Sequence, residues 1–309
     1  MKNYLLTVYC LAYNHEKYIE KTLQGFVLQK TKYPFKVIVH DDASTDGTAD
    51  IIRKYAERYP DIIFPIFQSE NQYSKGIDIF KKYIIPEIEG KYIAVCEGDD
   101  YWSDLDKIEI QLDYMENHPE CSMCVHNTEM IKENGEKRGI LFNHDDADRF
   151  YSTENIIEAG GGGLFHTSSF LCRKEVKMYI PDAFSIDRVG DYPWAIYASV
   201  CGKVYFINRV MSVYRTGSQG SWVSKSNANR EKAILHYIGL KKGLLSMNKY
   251  TKNQYKKSFF KMIDIADYYI FLNERKVNII FGNKKYRTIF LKRSIKQKVK
   301  DIRTLLQKK

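Results

Sequence analysis

The run Tyr92-Ile93-Ala94-Val95-Cys96-Glu97-Gly98-Asp99-Asp100-Tyr101-Trp102 decides the reading of this chain. Its first five residues form a short apolar stretch, rich in β-favouring types, that follows Gly90 and predicts a buried strand. Three carboxylates within the next four residues then crowd the strand's end. Repulsion and desolvation both disfavour their charged forms, and a hard divalent cation removes both costs. An isolated acidic triplet is more often a solvated turn. These acids, however, stand at a strand's carboxyl end, where open α/β sheets bind ligands, and that position favours a metal–phosphate site.

Outward from this strand the periodicity alternates. Strand patterns at 4–11, 35–40, 62–67, 92–96 and 121–126 are separated by helical patterns at 16–29, 47–59, 75–88 and 105–117. Ser44-Thr45-Asp46 supplies capping chemistry for the second helix, and the fourth stops before Pro119. Such alternation predicts an α/β fold with a mostly parallel sheet covered on both faces. Beyond residue 130 the pattern loosens. A glycine loop at 160–163, a strand at 167–172, a helix at 191–201 and short strands at 204–207 and 211–214 are expected. From 227 onward the pattern is helical only, near 227–247, 252–273 and 285–308, which sets a boundary near 222.

The 309 residues carry 44% hydrophobic and 28% charged side chains, ordinary for a soluble protein, and suffice for one sizeable domain or one domain plus a smaller appendage. No window approaches the roughly 20 apolar residues of a membrane span. The N-terminus lacks the layout of a signal peptide, so a cytoplasmic chain is expected. Six cysteines lie mostly in apolar segments and read as free thiols; Cys121 and Cys124 have a metal-like spacing without a second pair. The net charge of +10 is concentrated in the tail, where 284–309 holds eleven Lys and Arg against Asp301 alone.

Two further strand ends meet the acidic one on the same edge, Leu11-Ala12-Tyr13-Asn14-His15 and the segment from His40 to Thr48. Tyr13 suits stacking on a base and Asp42 suits accepting from a base NH. The plainer alternative for 41–48 is a turn with a helix cap, a role that Asp46 fits. Three polar strand ends on one edge favour a nucleotide pocket.

These pieces together resemble glycosyltransferase family 2 and its GT-A nucleotide-sugar fold. The likeness rests on Tyr13-Asn14, on Asp41-Asp42-Ala43-Ser44-Thr45-Asp46-Gly47-Thr48, on Gly90-Lys91-Tyr92 and on Glu97-Gly98-Asp99-Asp100-Tyr101-Trp102. It covers roughly 3–130 and, more weakly, extends to about 222. In that order the motifs are specific, and the acidic variant resembles bacterial enzymes that build capsule, lipopolysaccharide and other surface glycans. By position, the resemblance assigns Tyr13, Asn14, Asp41, Asp42, Glu97 and Asp99 to the nucleotide sugar. Asp100, with Asp99, is assigned to a Mn²⁺ or Mg²⁺ ion that bridges the diphosphate. Glu97 stands where the family usually has Asp, and Leu11-Ala12 replaces its commoner Pro/Thr-containing turn.

The resemblance further implies inverting transfer, with a carboxylate at the head of a helix in the second half as base. Asp191 fits that place and Asp187 is the runner-up; an ordinary N-cap is the plainer reading of Asp191. Arg215 and Trp222 fall on the loop that would close over donor phosphates, with an ion pair and a core anchor as their alternatives. Trp102 and His166 could border the acceptor, or simply pack. We therefore expect a catalytic domain over 1–222, with 1–130 holding the nucleotide and 131–222 the acceptor, and a basic helical region over 223–309. The partners expected are a nucleotide-sugar donor and a glycan or polyprenyl-linked saccharide acceptor. In the tail, Leu291, Ile295, Val299, Ile302 and Leu306 form one apolar stripe among basic residues. That pattern suits an anionic membrane surface at the inner leaflet, or a docked helix with a solvated face. No nucleic-acid-reading module is recognised, and no nucleic-acid partner is expected. The competing class is a nucleotide-sugar-binding regulatory or assembly protein without catalysis.

Overall fold

The structure, a computed structural model, describes residues 3–160, 163–186, 189–217 and 230–306. The chain begins β1 (Leu6–Ala12), α1 (Ile19–Val27), β2 (Phe35–Asp41), α2 (Thr48–Arg58), β3 (Ile63–Phe67), β4 (Tyr92–Val95). It continues β5 (Tyr101–Trp102), α3 (Lys107–Asn117), β6 (Cys121–Lys132), β7 (Lys137–Leu141), β8 (Arg149–Tyr151), α4 (Thr153–Ala159). Next come β9 (Leu171–Arg173), α5 (Lys174–Met178), α6 (Asp191–Cys201) and β10 (Lys203–Thr216). Helices α7 (Arg230–Tyr250), α8 (Lys256–Asn273), α9 (Val277–Gly282), α10 (Lys284–Lys292) and α11 (Ile295–Leu306) complete the described chain.

Two compact units form. The first comprises Met1–Ser152, Gly162–Ile180 and Tyr197–Ser218, and the second Thr153–Gly161, Pro181–Ile196 and Gln219–Lys309. The expected boundary at 222 lies outside the described residues.

In the first unit all the named strands join one sheet in the order β3-β2-β1-β4-β9-β6-β10-β5, with β7 on β6 and β8 on β10. Strands β1 to β4 pair in parallel, β9 runs antiparallel between β4 and β6, and β6 and β10 are parallel again. This is the mixed α/β architecture expected of the GT-A fold. Strands β1 and β2 are buried on both faces, as sheet interiors require, with Leu6, Val8, Val37 and Val39 fully enclosed. Helix α1 buries Ile19, Leu23 and Phe26, and α3 buries Ile108, Leu112 and Met115. Each such side chain contributes about 1.5–3 kcal/mol of burial. From β1 the chain steps outward to β2 and β3, then returns to place β4 on the other side of β1. A doubly wound sheet opens its ligand crevice at such a reversal of strand order, beyond the carboxyl ends of β1 and β4.

Several expectations are corrected. Residues 75–88 form no continuous helix but a 3₁₀ turn at Tyr73–Lys75, a π turn at Phe80–Ile84 and another 3₁₀ turn at Ile85–Glu87. Gly76 in the left-handed region (φ 74°) ends the first turn, and Pro86 lacks the N–H that a continuing ladder needs. The strand expected at 167–172 is a 3₁₀ turn at Thr167–Ser169 followed by β9. The two short strands at 204–207 and 211–214 are one strand, β10, whose pairing with β6 shifts register between Ile207 and Val210 and again before Ser212.

The second unit contains α4, the first part of α6 and helices α7 to α11. Here Tyr192 donates its hydroxyl to the Ile157 carbonyl (2.6 Å), and Ser258 donates to Glu158 (2.8 Å). The single helix expected at 285–308 is divided. Asn283 caps α10 by accepting from the Lys285 N–H (2.9 Å). Ser294 and Gln297 then form a reciprocal capping box that starts α11: Gln297 N–H donates to Ser294 Oγ (3.3 Å) and Ser294 N–H to Gln297 Oε1 (3.0 Å). Asp301 is enclosed, accepting from Tyr268 Oη (2.7 Å) and pairing with Arg293. Tyr268, Leu272, Ile280 and Tyr286 form the small core beneath. The apolar stripe faces outward: Ile295 is 81% and Leu306 74% exposed. None of the described helices is long and apolar enough to cross a membrane.

Candidate nucleotide-sugar site

The loop after β1 and the loop after β2 are tied together by side chains. Asn14, in the left-handed region (φ 55°) that Asn tolerates, accepts at Oδ1 from Thr45 N–H (2.8 Å) and donates its own N–H to Ser44 Oγ (2.9 Å). Asp46 accepts from Glu16 N–H (3.1 Å) and Thr48 N–H (3.0 Å), so it both starts α2 and holds the neighbouring loop. Tyr13 stays 45% exposed, presenting its ring to solvent at the mouth.

The two adjacent aspartates at the end of β2 are in different situations. Asp42 is saturated: its Oδ1 accepts from Gln72 N–H (2.8 Å) and its Oδ2 from Tyr73 N–H (3.0 Å). Asp41 accepts from Ser44 N–H at Oδ2 (3.1 Å), while its buried Oδ1 has no hydrogen-bond partner. A buried acceptor left open carries a desolvation cost that a ligand N–H would relieve. Of the pair, Asp41 has the open acceptor, and Asp42 holds the 72–73 turn against the strand.

Across the crevice, Gly98 brings the acidic motif against β1. Its N–H donates to Leu11 O (3.0 Å), and a Cβ there would stand 2.6 Å from His15 Nδ1. From α1, Thr22 Oγ1 donates to Asp100 O (2.5 Å) and lies 3.1 Å from Gly98 O. Asp100 is 2% exposed; its Oδ1 accepts from Arg215 N–H (2.8 Å), and His166 Nε2 stands 3.6 Å from its Oδ2. Burial, reinforced by the charge of Asp99, pushes Asp100 well above the usual carboxylate range. The same two causes bring Glu97 up to about 7. These are carboxylates short of positive charge, and a divalent ion would supply it.

Among the described residues no group of three or more His, Cys, Asp and Glu side chains is assembled to enclose an ion. The carboxylate oxygens of Asp99 and Asp100 are hard donors, the type that suits a Mg²⁺- or Mn²⁺-type ion.

The remaining expected residues fall as follows. Arg215 is 7% exposed; its Nε donates to Asp99 O (3.2 Å), its Nη1 to Glu133 O (3.0 Å), and it stacks 4.5 Å over the Tyr18 ring. It braces the acidic motif from behind. Trp102 is a core residue, 2% exposed, with Nε1 donating to Ser168 O (2.9 Å) and Phe26 meeting its ring at 4.9 Å. His166 is enclosed against Tyr214 (4.2 Å), bonds Ser168 Oγ through Nδ1 (2.8 Å), and is held neutral by burial, its pKa down to about 4. Asp191 begins α6 in the second unit, and its Oδ1 accepts from Tyr192 N–H (2.8 Å). Trp222 and Asp187 lie outside the described residues.

One support was missed in the sequence. Lys107 is fully buried, donates to Gln111 Oε1 (2.6 Å) and stands 3.9 Å over the Trp102 ring. Gln111 in turn donates to Cys124 O and Ser169 O (both 2.9 Å), joining α3 to β6 and to the turn that bears His166. The available signal was positional: both residues lie on the same α3 stripe as Ile108, Leu112 and Met115.

Comparison with known proteins agrees with this architecture. The model of glycosyl transferase family 2 matches residues 7–177. An uncharacterized protein of Mycobacterium tuberculosis is 32% identical over 233 residues, which are 73% of this chain and 63% of that protein. The chain thus spans less than two thirds of that relative. An Escherichia coli UDP-Glc:alpha-D-GlcNAc-diphosphoundecaprenol beta-1,3-glucosyltransferase is 33% identical over 112 residues, 36% of this chain and 41% of its own. Among solved structures, Staphylococcus aureus TarS 1–349 in complex with UDP-GlcNAc aligns at TM-score 0.61 and 17% identity, covering 97% of this chain and 79% of that one. The Pyrobaculum calidifontis mannosyltransferase in complex with GDP-Man and Mn²⁺ aligns at 0.55 and 14%, covering 100% and 89%. At these identities the two structures speak for the fold. With the family model matched over more than half its length, this chain belongs to glycosyl transferase family 2.

Proposed function

We propose that this protein is a metal-assisted, inverting glycosyltransferase that moves a sugar from a nucleoside-diphosphate donor, UDP-linked by preference, to a glycan or polyprenyl-linked saccharide in bacterial surface-polysaccharide synthesis. The observation that carries the reading is the pair of strand ends at the sheet's switch point. Asp41 has an open buried oxygen on one side, and on the other Glu97 and Asp100 are carboxylates raised by burial and by the charge of Asp99. The E. coli relative is named for a UDP-sugar donor and a diphosphoundecaprenol-linked acceptor, and the two solved neighbours hold nucleotide sugars, one of them with Mn²⁺.

In this reading Tyr13 stacks on the base and Asp41 accepts from its N–H, while Asn14 keeps the two loops in register. Asp99 and Asp100 hold the ion, whose bound charge would act as a Lewis acid toward the diphosphate. Arg215, Thr22 and Gly98 fix those carboxylates so that little reorganisation is needed at the moment of reaction. Asp191 takes the proton of the acceptor hydroxyl as its oxygen attacks the anomeric carbon. The bond from that carbon to the diphosphate oxygen breaks, and the electron pair leaves with the nucleoside diphosphate. Attack opposite the leaving group inverts the centre, so an α-linked donor gives a β-linked product. With a polyprenyl-linked acceptor the reaction would take place at the inner face of the plasma membrane.

A thermal-shift screen of nucleotide sugars with and without Mn²⁺ tests the donor site, since a ligand bound at 100 times its Kd stabilises by about 2.7 kcal/mol. Asp191→Asn should retain the shift and lose transfer. Metal-independent indifference to every donor would overturn the reading, and undiminished transfer by the Asn variant would remove Asp191 as the base.

A further inference from the structure

We propose that the groove between α8 and α10 is a binding site for one anionic phospholipid, its phosphate held by Lys257, Lys284 and Lys292 and its chain laid on an apolar floor. This rests on the membrane-side part of the reading above and specifies the lipid contact. The cavity measures about 990 Å³. Phe260, Ile265 and Ile289 line it, and Phe260 is 41% exposed, as a floor open to a ligand is.

The charge on its walls is one-sided. Six Lys and Arg line the groove against the single carboxylate of Asp264. Three of the cations are engaged: Lys285 with Asp264 (2.8 Å), Lys261 with Glu158, and Arg293 with Asp301. Lys257, Lys284 and Lys292 have no ion pair among the described residues, so the groove keeps positive charge beside apolar surface. Asp301, the one acid between 284 and 306, is on the buried side of α11 and contributes no negative charge to its outer face. Leu291, Ile295, Val299 and Leu306 are exposed in the same segment, with Lys296, Lys298 and Arg303 on α11 flanking that stripe. An interfacial helix has this layout, an apolar face bordered by basic residues. Apolar floor and unpaired cations together match a phosphodiester bearing acyl chains, whereas a free phosphate would use only the lysines.

The test uses the full chain and monomeric dihexanoyl phosphatidylglycerol, below its micelle concentration. The lipid should raise the melting temperature, while equal concentrations of dihexanoyl phosphatidylcholine or inorganic phosphate should not. Lys257→Gln/Lys284→Gln/Lys292→Gln should weaken lipid affinity about hundredfold, at roughly fivefold per lysine. Lys296→Gln/Lys298→Gln/Lys300→Gln, which removes equal charge outside the groove, should keep the response. An equal response to phosphate, or an undiminished response in the groove variant, overturns the site. Co-sedimentation with phosphatidylglycerol vesicles separates the two readings. Binding to vesicles without a response to monomeric lipid removes the groove alone, and binding to neither removes the membrane contact as well. The donor screen with Mn²⁺ reports on other residues, so it judges the transferase reading separately.

Discussion

Lys107→Met offers a quantitative test of how the acidic motif is supported. Lys107 is fully buried beside Trp102 and Gln111, and its pKa is lowered from 10.5 to about 7, chiefly by burial. Above pH 7 the folded chain gives up this proton, while the unfolded chain keeps it until about 10.5. Stability contributed at this site therefore rises with pH between those limits and is lowest, and flat, below 7. At 1.36 kcal/mol per pH unit, the interval from pH 7 to 9 amounts to about 3 kcal/mol. Methionine keeps the length and removes the titration, at the cost of leaving Gln111 Oε1 without its donor, about 1–3 kcal/mol. Other titrating groups are common to both proteins and cancel in the difference. Urea unfolding at pH 6, 7.5 and 9, followed by tryptophan emission, should show wild type gaining about 3 kcal/mol on the variant from the lowest to the highest pH. A difference that stays constant with pH would refute the assignment of a buried, uncompensated ammonium.

Three shorter predictions accompany it. Asp41→Asn should weaken donor binding with little change in urea midpoint, whereas Asp42→Ala should lower stability by about 3 kcal/mol because Gln72 and Tyr73 lose a charged acceptor; the reverse pattern would exchange their roles. Ala43 sits at φ 61°, where an alanine Cβ crowds the following carbonyl and has no polar side chain to compensate, so Ala43→Gly should stabilise by about 1 kcal/mol in urea titration, and a loss would refute the strain. In EDTA, Glu97 at about 7 holds a proton that the unfolded chain releases near 4.5, so its contribution is full below 4.5 and is lost as pH rises through 7. Glu97→Gln should flatten that decline in metal-free melting curves, and an unchanged pH profile would count against the raised pKa.

The parallel half of the fold was legible because its strands are short apolar runs that end at Gly or clustered polar residues. The strand ends named from the sequence, at Tyr13, Asp41 and Glu97–Asp100, are those that β1, β2 and β4 bring to one edge. What periodicity does not carry is partnership. Nothing local distinguishes Asp42, whose oxygens are used by a turn thirty residues on, from Asp41, whose Oδ1 stays open. In sequence Arg215 reads equally as a phosphate ligand or an ion-pair residue, and its bonds to Asp99 O and Glu133 O join segments too far apart for any local pattern to display. In the tail the apolar stripe runs on in phase across Ser294, so periodicity alone suggests one helix, and only the Ser-x-x-Gln capping signature marks the break between α10 and α11.

Strand β10 gives Asp100 its backbone donor at Arg215, eight residues beyond Ile207, where its pairing with β6 slips. The count between Ile207 and Arg215 thus acts as a gauge. Removing one residue there would turn each later side chain to the opposite face of the sheet and present Asp100 with the wrong amide. Exchanges of this strand between related enzymes should preserve spacing ahead of side-chain identity, and insertions are better tried in the hairpin joining β6 and β7.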